Sequence, residues 1–181
     1  GFFRVGLGGK LDKASGFPAD PGSATAMRFH LDYIFHRLDA VLTNYYGNTI
    51  TDIASDSWEY DNRPYWTPGI FDEFQRVNGY DLRKAMHVWL GYGPDLEQIR
   101  EDLARAENSL VCTNSFDLIT RYANQRGLQH RPQARGRGLH RDLFDAFACS
   151  DIPEAEQEVF PAEAVWVAHV RSEEHTSELQ S

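Results

Sequence analysis

The stretch Thr49-Ile50-Thr51-Asp52-Ile53-Ala54-Ser55-Asp56-Ser57-Trp58-Glu59-Tyr60-Asp61 decides how this chain is read. Its first half is rich in β-branched residues and predicts a strand over 49–54. Its second half is polar and acidic, and predicts a loop leaving that strand. Upstream, Met27, Leu31, Ile34, Phe35, Leu38, Val41, Leu42 and Tyr45 recur at steps of three and four, a helix with Ser23 as its cap and Gly47 as its stop. Downstream, Thr67-Pro68 reads as the N-cap and first position of a helix carrying Phe71, Phe74 and Val77 and ending at Gly79. Asp81 opens another, closed by Gly91. Beyond Pro94, Leu96, Ile99, Leu103, Ala106 and Leu110 mark a long helix that Phe116, Ile119 and Tyr122 continue to Gly127. Leu128 to Ala134 reads as a strand, with Pro132 arguing against a central, fully paired position. Leu139 to Ala148 is a helix, and Asp151-Ile152-Pro153-Glu154-Ala155-Glu156 is a second acidic loop at a strand end.

Strands that alternate with helices predict parallel βαβ units, an α/β fold. In such folds sites are built where the chain leaves the C-terminal ends of the strands, and both acidic loops fall there. Composition narrows the function. The 181 residues are 41% apolar and 25% charged, which excludes a disordered or low-complexity chain. No apolar run approaches the ~20 residues of a membrane-spanning helix. A net charge of −9 argues against general nucleic-acid binding. Two cysteines, Cys112 and Cys149, supply neither a disulfide framework nor a zinc spacing.

Two acidic clusters at different strand ends suggest a carboxylate pair facing across a pocket. Glycoside hydrolysis needs that pair: one acid protonates the leaving oxygen and the other activates water or attacks. Glu59 sits beside Trp58. An indole neighbour makes the surroundings less polar and favours the protonated carboxylic acid, as a general acid requires. The plainer alternative is that acidic loops are solvated or cap helices. Trp58 and Trp66 are candidates to stack on a sugar ring, and Gln133 and His130 to hydrogen-bond its hydroxyls. The run Arg131-Pro132-Gln133-Ala134-Arg135-Gly136-Arg137, with Arg141 nearby, reads as a solvated basic loop, or as a grip on an acidic sugar.

A series of short motifs in order carries a resemblance. Asp56-Ser57-Trp58-Glu59 is followed by Tyr65-Trp66-Thr67-Pro68 and by FDEFQRVNGYDL over residues 71–82. Then come Tyr122-Ala123-Asn124-Gln125-Arg126-Gly127-Leu128 and Asp151-Ile152-Pro153-Glu154-Ala155-Glu156. Over about residues 1–160 the chain resembles glycoside hydrolase family 106, the α-L-rhamnosidases and their relatives. The resemblance implies a (β/α)8 TIM-type barrel, present here in part and truncated at both ends. It also implies larger accessory β-domains, an inverting mechanism, a rhamnose-containing glycan as substrate, and a calcium ion. Carried over by position, Glu59 is the general acid and Glu156 the general base, with Glu154 the alternative. Asp56, Asp61 and Glu154 are the candidate calcium ligands. Other sugar specificities on the same barrel, and a non-catalytic carbohydrate-binding relative, are the competing expectations.

Residues 1–170 are expected to be the catalytic part. Residues 171–181, RSEEHTSELQS, resemble the in-frame translation of a sequencing adapter and are set aside from the fold. Gly1-Phe2-Phe3-Arg4-Val5 reads like the interior of a strand. Half a barrel exposes parallel edges, so the chain alone is expected to be poorly stable and inactive.

Overall fold

A computed structural model describes residues 19–55, 66–133 and 143–154. The expected first strand, the Asp56–Asp61 loop, Glu156 and the 171–181 tail lie outside these residues. The described part is a helix-rich α/β arrangement around a small parallel sheet.

Helix α1 spans Ala24–Leu42 and is capped by Ser23, whose Oγ accepts from Ala26 N at 3.3 Å. Met27, Leu31 and Phe35, four residues apart, are its buried stripe. The expected stripe runs further, but Val41 and Tyr45 are exposed, and the last turn tightens to a 3₁₀ turn over Thr43–Tyr45. Strand β1 follows at Asp52–Ser55.

Helix α2 (Ile70–Asn78) starts two residues later than Thr67-Pro68 suggests, with Gly69 as its N-cap. Thr67 is fully buried, and its Oγ1 donates to Asp20 Oδ2 at 2.9 Å instead of capping a helix. This junction also explains Gly22: a Cβ there would lie 2.8 Å from the Thr67 side chain. Glu73 near the start of α2 and Arg76 near its end pair with one another and suit the helix dipole. Residues Leu82–Leu90 form 3₁₀ turns with a kink at Ala85, not the expected α-helix.

Helix α3 (Leu96–Val111) packs on α2. Ile70, Phe74, Leu82, Val88 and Leu103 are buried in one apolar cluster between them. The chain then makes a π turn over Cys112–Phe116 before helix α4 (Asp117–Asn124). The turn is pinned to the entrance of α1, since Ser115 Oγ donates to Pro21 O and Asn114 Nδ2 to Gly22 O, both at 2.7 Å. Strand β2 covers Gln129–Pro132, and helix α5 covers Leu143–Ala148. No helix among the described residues is long and apolar enough to cross a membrane.

The sheet positions everything else. β1 and β2 run parallel, with Asp52 opposite Gln129 and Ser55 opposite Pro132. On the other side of β2, residues 151–154 run alongside: Asp151 N and Ile152 N donate to His130 O, and Gln133 bridges Glu154 in parallel. β2 is therefore central, against the expectation from Pro132. Gln129 N donates to Thr51 O, just before β1, and Gln133 N to Ser55 O, so residue 132 turns its missing N–H toward residues 151–154 and costs no β1–β2 bond.

Candidate active site

Strand alternation gives the sheet two faces. Ile53, Ser55, His130 and Pro132 look toward the helices. Ile53 packs into the cluster shared by α1 and α4, and the His130 ring stacks 6.5 Å from Phe116. Asp52, Ala54, Gln129, Arg131 and Gln133 look the other way, and Glu154 joins them.

The outward face is a ladder of charge. The Arg131 guanidinium reaches Asp52 Oδ1 through Nε and Glu154 Oε2 through Nη1, each at 3.3 Å. Gln133 Nε2 donates to Glu154 Oε1 at 3.1 Å. The Arg131–Asp52 approach is an ion pair without an aligned hydrogen bond, because Nε is buried and lacks a well-directed acceptor. All three charged groups are half-buried. The face therefore holds a fixed cation between two carboxylates, from Asp52 at the start of β1 to Glu154 beside the C-terminal rim of β2. Such a rim can orient sugar hydroxyls and fix the position of acidic side chains beside it.

The helix-facing side has no such freedom. His130 is fully buried, with Nε2 2.8 Å from Ser55 Oγ and Nδ1 2.8 Å from Thr120 Oγ1. Asp151 Oδ2 accepts from His130 N at 2.8 Å and from Asn124 Nδ2 at 2.7 Å. Burial pushes the imidazole pKa down to about 4, although the nearby Asp151 charge works against the shift. The ring is neutral at physiological pH and both its nitrogens are occupied. Both ring nitrogens of His130, expected to meet a sugar hydroxyl, are occupied by protein hydroxyls, and the ring faces away from Gln133.

The other expected site residues divide by position. Gln133 and Glu154 meet at the rim. Trp66 lies before α2, 55% exposed, edge-on to Phe71 with ring centroids 5.2 Å apart. Glu59, Glu156, Trp58, Asp56 and Asp61 lie outside the described residues, as do Arg135, Arg137 and Arg141. Arg131 belongs to β2 and is ion-paired, not part of a solvated basic loop. Asp52 went unnoticed in the sequence. The signal was there, because alternation sets it on one face with Ala54 and, through the register, with Arg131.

A calcium ion does not fit the described residues. Among them no group of three or more His, Cys, Asp or Glu side chains converges. Glu154, the one candidate ligand described, has one oxygen on Gln133 and the other beside the Arg131 guanidinium, whose positive charge opposes a cation there.

Comparison with known proteins identifies the lineage. The family model for glycoside hydrolase family 106, alpha-L-rhamnosidase, matches residues 10–180. The chain belongs to this family. No curated protein matches it. The solved rhamnosidase from Novosphingobium sp. PP1Y is similar in fold, with a TM-score of 0.63 and 23% identity. That similarity covers 75% of this chain and 14% of the solved chain, so this chain spans about one seventh of its length.

Proposed function

We propose that this chain is part of the catalytic barrel of an α-L-rhamnosidase that hydrolyses terminal rhamnosyl groups with inversion. One observation carries the reading: β1, β2 and residues 151–154 lie side by side in sequence order and parallel, so Ser55, before the first acidic segment, and Glu154, in the second, stand on either side of β2 at the same end of the strands. The first begins at Asp56, directly after Ser55. The second contains Glu154 and Glu156. Consecutive parallel strands with helices packed on one face are the arrangement from which a (β/α)8 barrel closes. Ile53 and His130 then face the helical layer, and Arg131, Gln133 and Glu154 face the barrel interior.

In this reading Glu59 protonates the glycosidic oxygen as the bond to the anomeric carbon breaks. Glu156 takes a proton from a water that attacks that carbon from the opposite side. The sugar leaves with inverted configuration, and the carboxyl groups stand about 6.5–9.5 Å apart to admit the water. Glu156 suits the base better than Glu154, because a base needs a free oxygen for water and the Glu154 oxygens are engaged by Gln133 and Arg131. Gln133 and Trp66 contribute a hydrogen-bonding amide and a stacking face to the sugar.

The test uses the longer protein containing this segment and an aryl α-L-rhamnoside. Glu59→Gln and Glu156→Gln should each slow turnover about 10²–10⁴-fold. A good leaving group, which needs no protonation, should rescue only Glu59→Gln. The first sugar observed by proton NMR should be the β-anomer. An α-anomer would refute inversion, and undiminished turnover in Glu59→Gln would remove its role. No turnover by the folded longer protein would move the assignment to another glycan or to a binding relative.

A further inference from the structure

Cys112 and Cys149 come from distant parts of the sequence and meet at one point in the fold. Cys112 opens the π turn between α3 and α4 and is buried with Val111, Phe116, Ala146 and Phe147. Cys149 follows α5 and packs against the same cluster. The two thiols are within hydrogen-bonding reach of one another, and neither is in a disulfide. The backbone of Cys149 is held from both sides: its N–H donates to Ala146 O at 3.3 Å, and its carbonyl accepts from Thr120 Oγ1 at 2.6 Å. Two thiols within hydrogen-bonding reach, on segments fixed by their neighbours, are placed where a disulfide could form.

We infer that Cys112 and Cys149 are a redox-active pair that closes into an intramolecular disulfide when the protein meets a small-molecule disulfide such as glutathione disulfide. Cys149 is the more exposed of the two and attacks first. Its thiolate attacks one sulfur of the oxidant; a mixed disulfide forms and one glutathione thiolate leaves with the electron pair of the broken bond. The Cys112 thiolate then attacks the Cys149 sulfur and expels the second glutathione thiolate. Both protein thiols lose their protons to solvent, the pair is oxidised by two electrons, and one glutathione disulfide becomes two thiols. Burial and the neighbouring Asp117 and Asp145 charges hold the Cys149 thiol above its usual range, so closure is slow at neutral pH and quickens as pH rises. The bond would tie the α3–α4 junction to the segment that enters the rim at Asp151, two residues beyond Cys149. It therefore braces the Gln133–Glu154 contact from behind.

The experiment equilibrates the full chain with mixtures of reduced and oxidised glutathione, quenches with acid, alkylates the remaining thiols and digests. The expected product is a linked peptide pair holding Cys112 and Cys149. The effective concentration of the pair in native buffer should exceed that in concentrated guanidinium by tenfold or more. Equal values in the two solvents would overturn the inference, because the fold would then contribute nothing to closure. So would recovery of both cysteines alkylated, or as separate glutathione adducts, from folded protein. Cys112→Ala and Cys149→Ser should each abolish the linked pair, and a cross-link surviving in either would point to another partner.

Discussion

On one side of the β1–β2 pair, His130 is sealed between Ser55, Thr120 and Phe116. One residue further along the same strand, Arg131 stands half-exposed between Asp52 and Glu154. The first is a polar group made safe for a core by satisfying both of its nitrogens and keeping it neutral. The second is a charged group paired with two carboxylates and left within reach of solvent. A strand turns each successive residue to the opposite face, so neighbours in sequence serve opposite purposes. The sealed, satisfied group lies behind the sheet, and the solvent-reachable charged one lies on the face proposed to meet the sugar. Substitutions on the two faces should therefore separate folding from activity.

The largest expected effect lies behind the sheet. Phe116 is fully buried and forms the wall against which the His130 ring stacks. Phe116→Ala should lower unfolding free energy by about 3–5 kcal/mol, the sum of lost transfer energy and the cavity left. A urea melt checks this through its midpoint. A loss below about 1 kcal/mol would mean that the helical layer does not anchor the sheet.

A smaller effect comes from His130 itself, and its sign follows from linkage. Its pKa falls from an ordinary 6.5 in the unfolded chain to about 4 in the folded one. Between those values the unfolded chain holds more protons, so stability is whole above pH 6.5 and is lost as pH falls toward 4. The loss should be about 1–3 kcal/mol. Other groups titrate nearby. Asp20, raised by burial, works in the opposite sense, and the His30 pKa is lowered as well, although its side chain is exposed. The decisive measurement is therefore the difference between wild type and His130→Leu across pH 4–7. His130→Leu should be less stable at pH 7, because the Ser55 and Thr120 hydroxyls lose a partner, and its curve should be flatter. Parallel curves would show that His130 is not the titrating group.

These residues also show what could be read from the sequence. The buried stripe Met27–Leu31–Phe35, the glycine stop at Gly79 and the parallel strand pair were legible, because apolar period and punctuation act locally. Thr67 was misread because its partner, Asp20, is 47 residues away, and no local rule reports such a bond. The 3₁₀ turns over Leu82–Leu90 carry a helical apolar pattern, which does not distinguish tight winding from loose. His130 and Gln133, grouped as sugar contacts, are separated by a parity the sequence already held: positions 130 and 133 differ by an odd number and fall on opposite faces of one strand. The family motifs were readable as motifs, yet only Glu154, Gln133 and Trp66 among the expected site residues fall where geometry can be stated.

The smallest expected effect on stability belongs to the front face, and it sharpens the contrast most. Arg131→Gln removes a cation whose ion pairs are half-exposed and stretched to 3.3 Å. Pairs of this kind contribute about 0–1 kcal/mol, because water already solvates the separated charges and screening weakens the rest. The urea midpoint should move by no more than that, far less than for Phe116→Ala. Turnover in the longer protein should fall nonetheless, since Glu154 loses the guanidinium that fixes it and Asp52 and Glu154 are left as like charges on one face. Arg131→Lys keeps the charge but not the planar fork, and should recover only part of the activity. If Arg131→Gln instead unfolds the protein while turnover per folded molecule is unchanged, the front face is structural, and the division of labour between the two sides of the sheet is wrong.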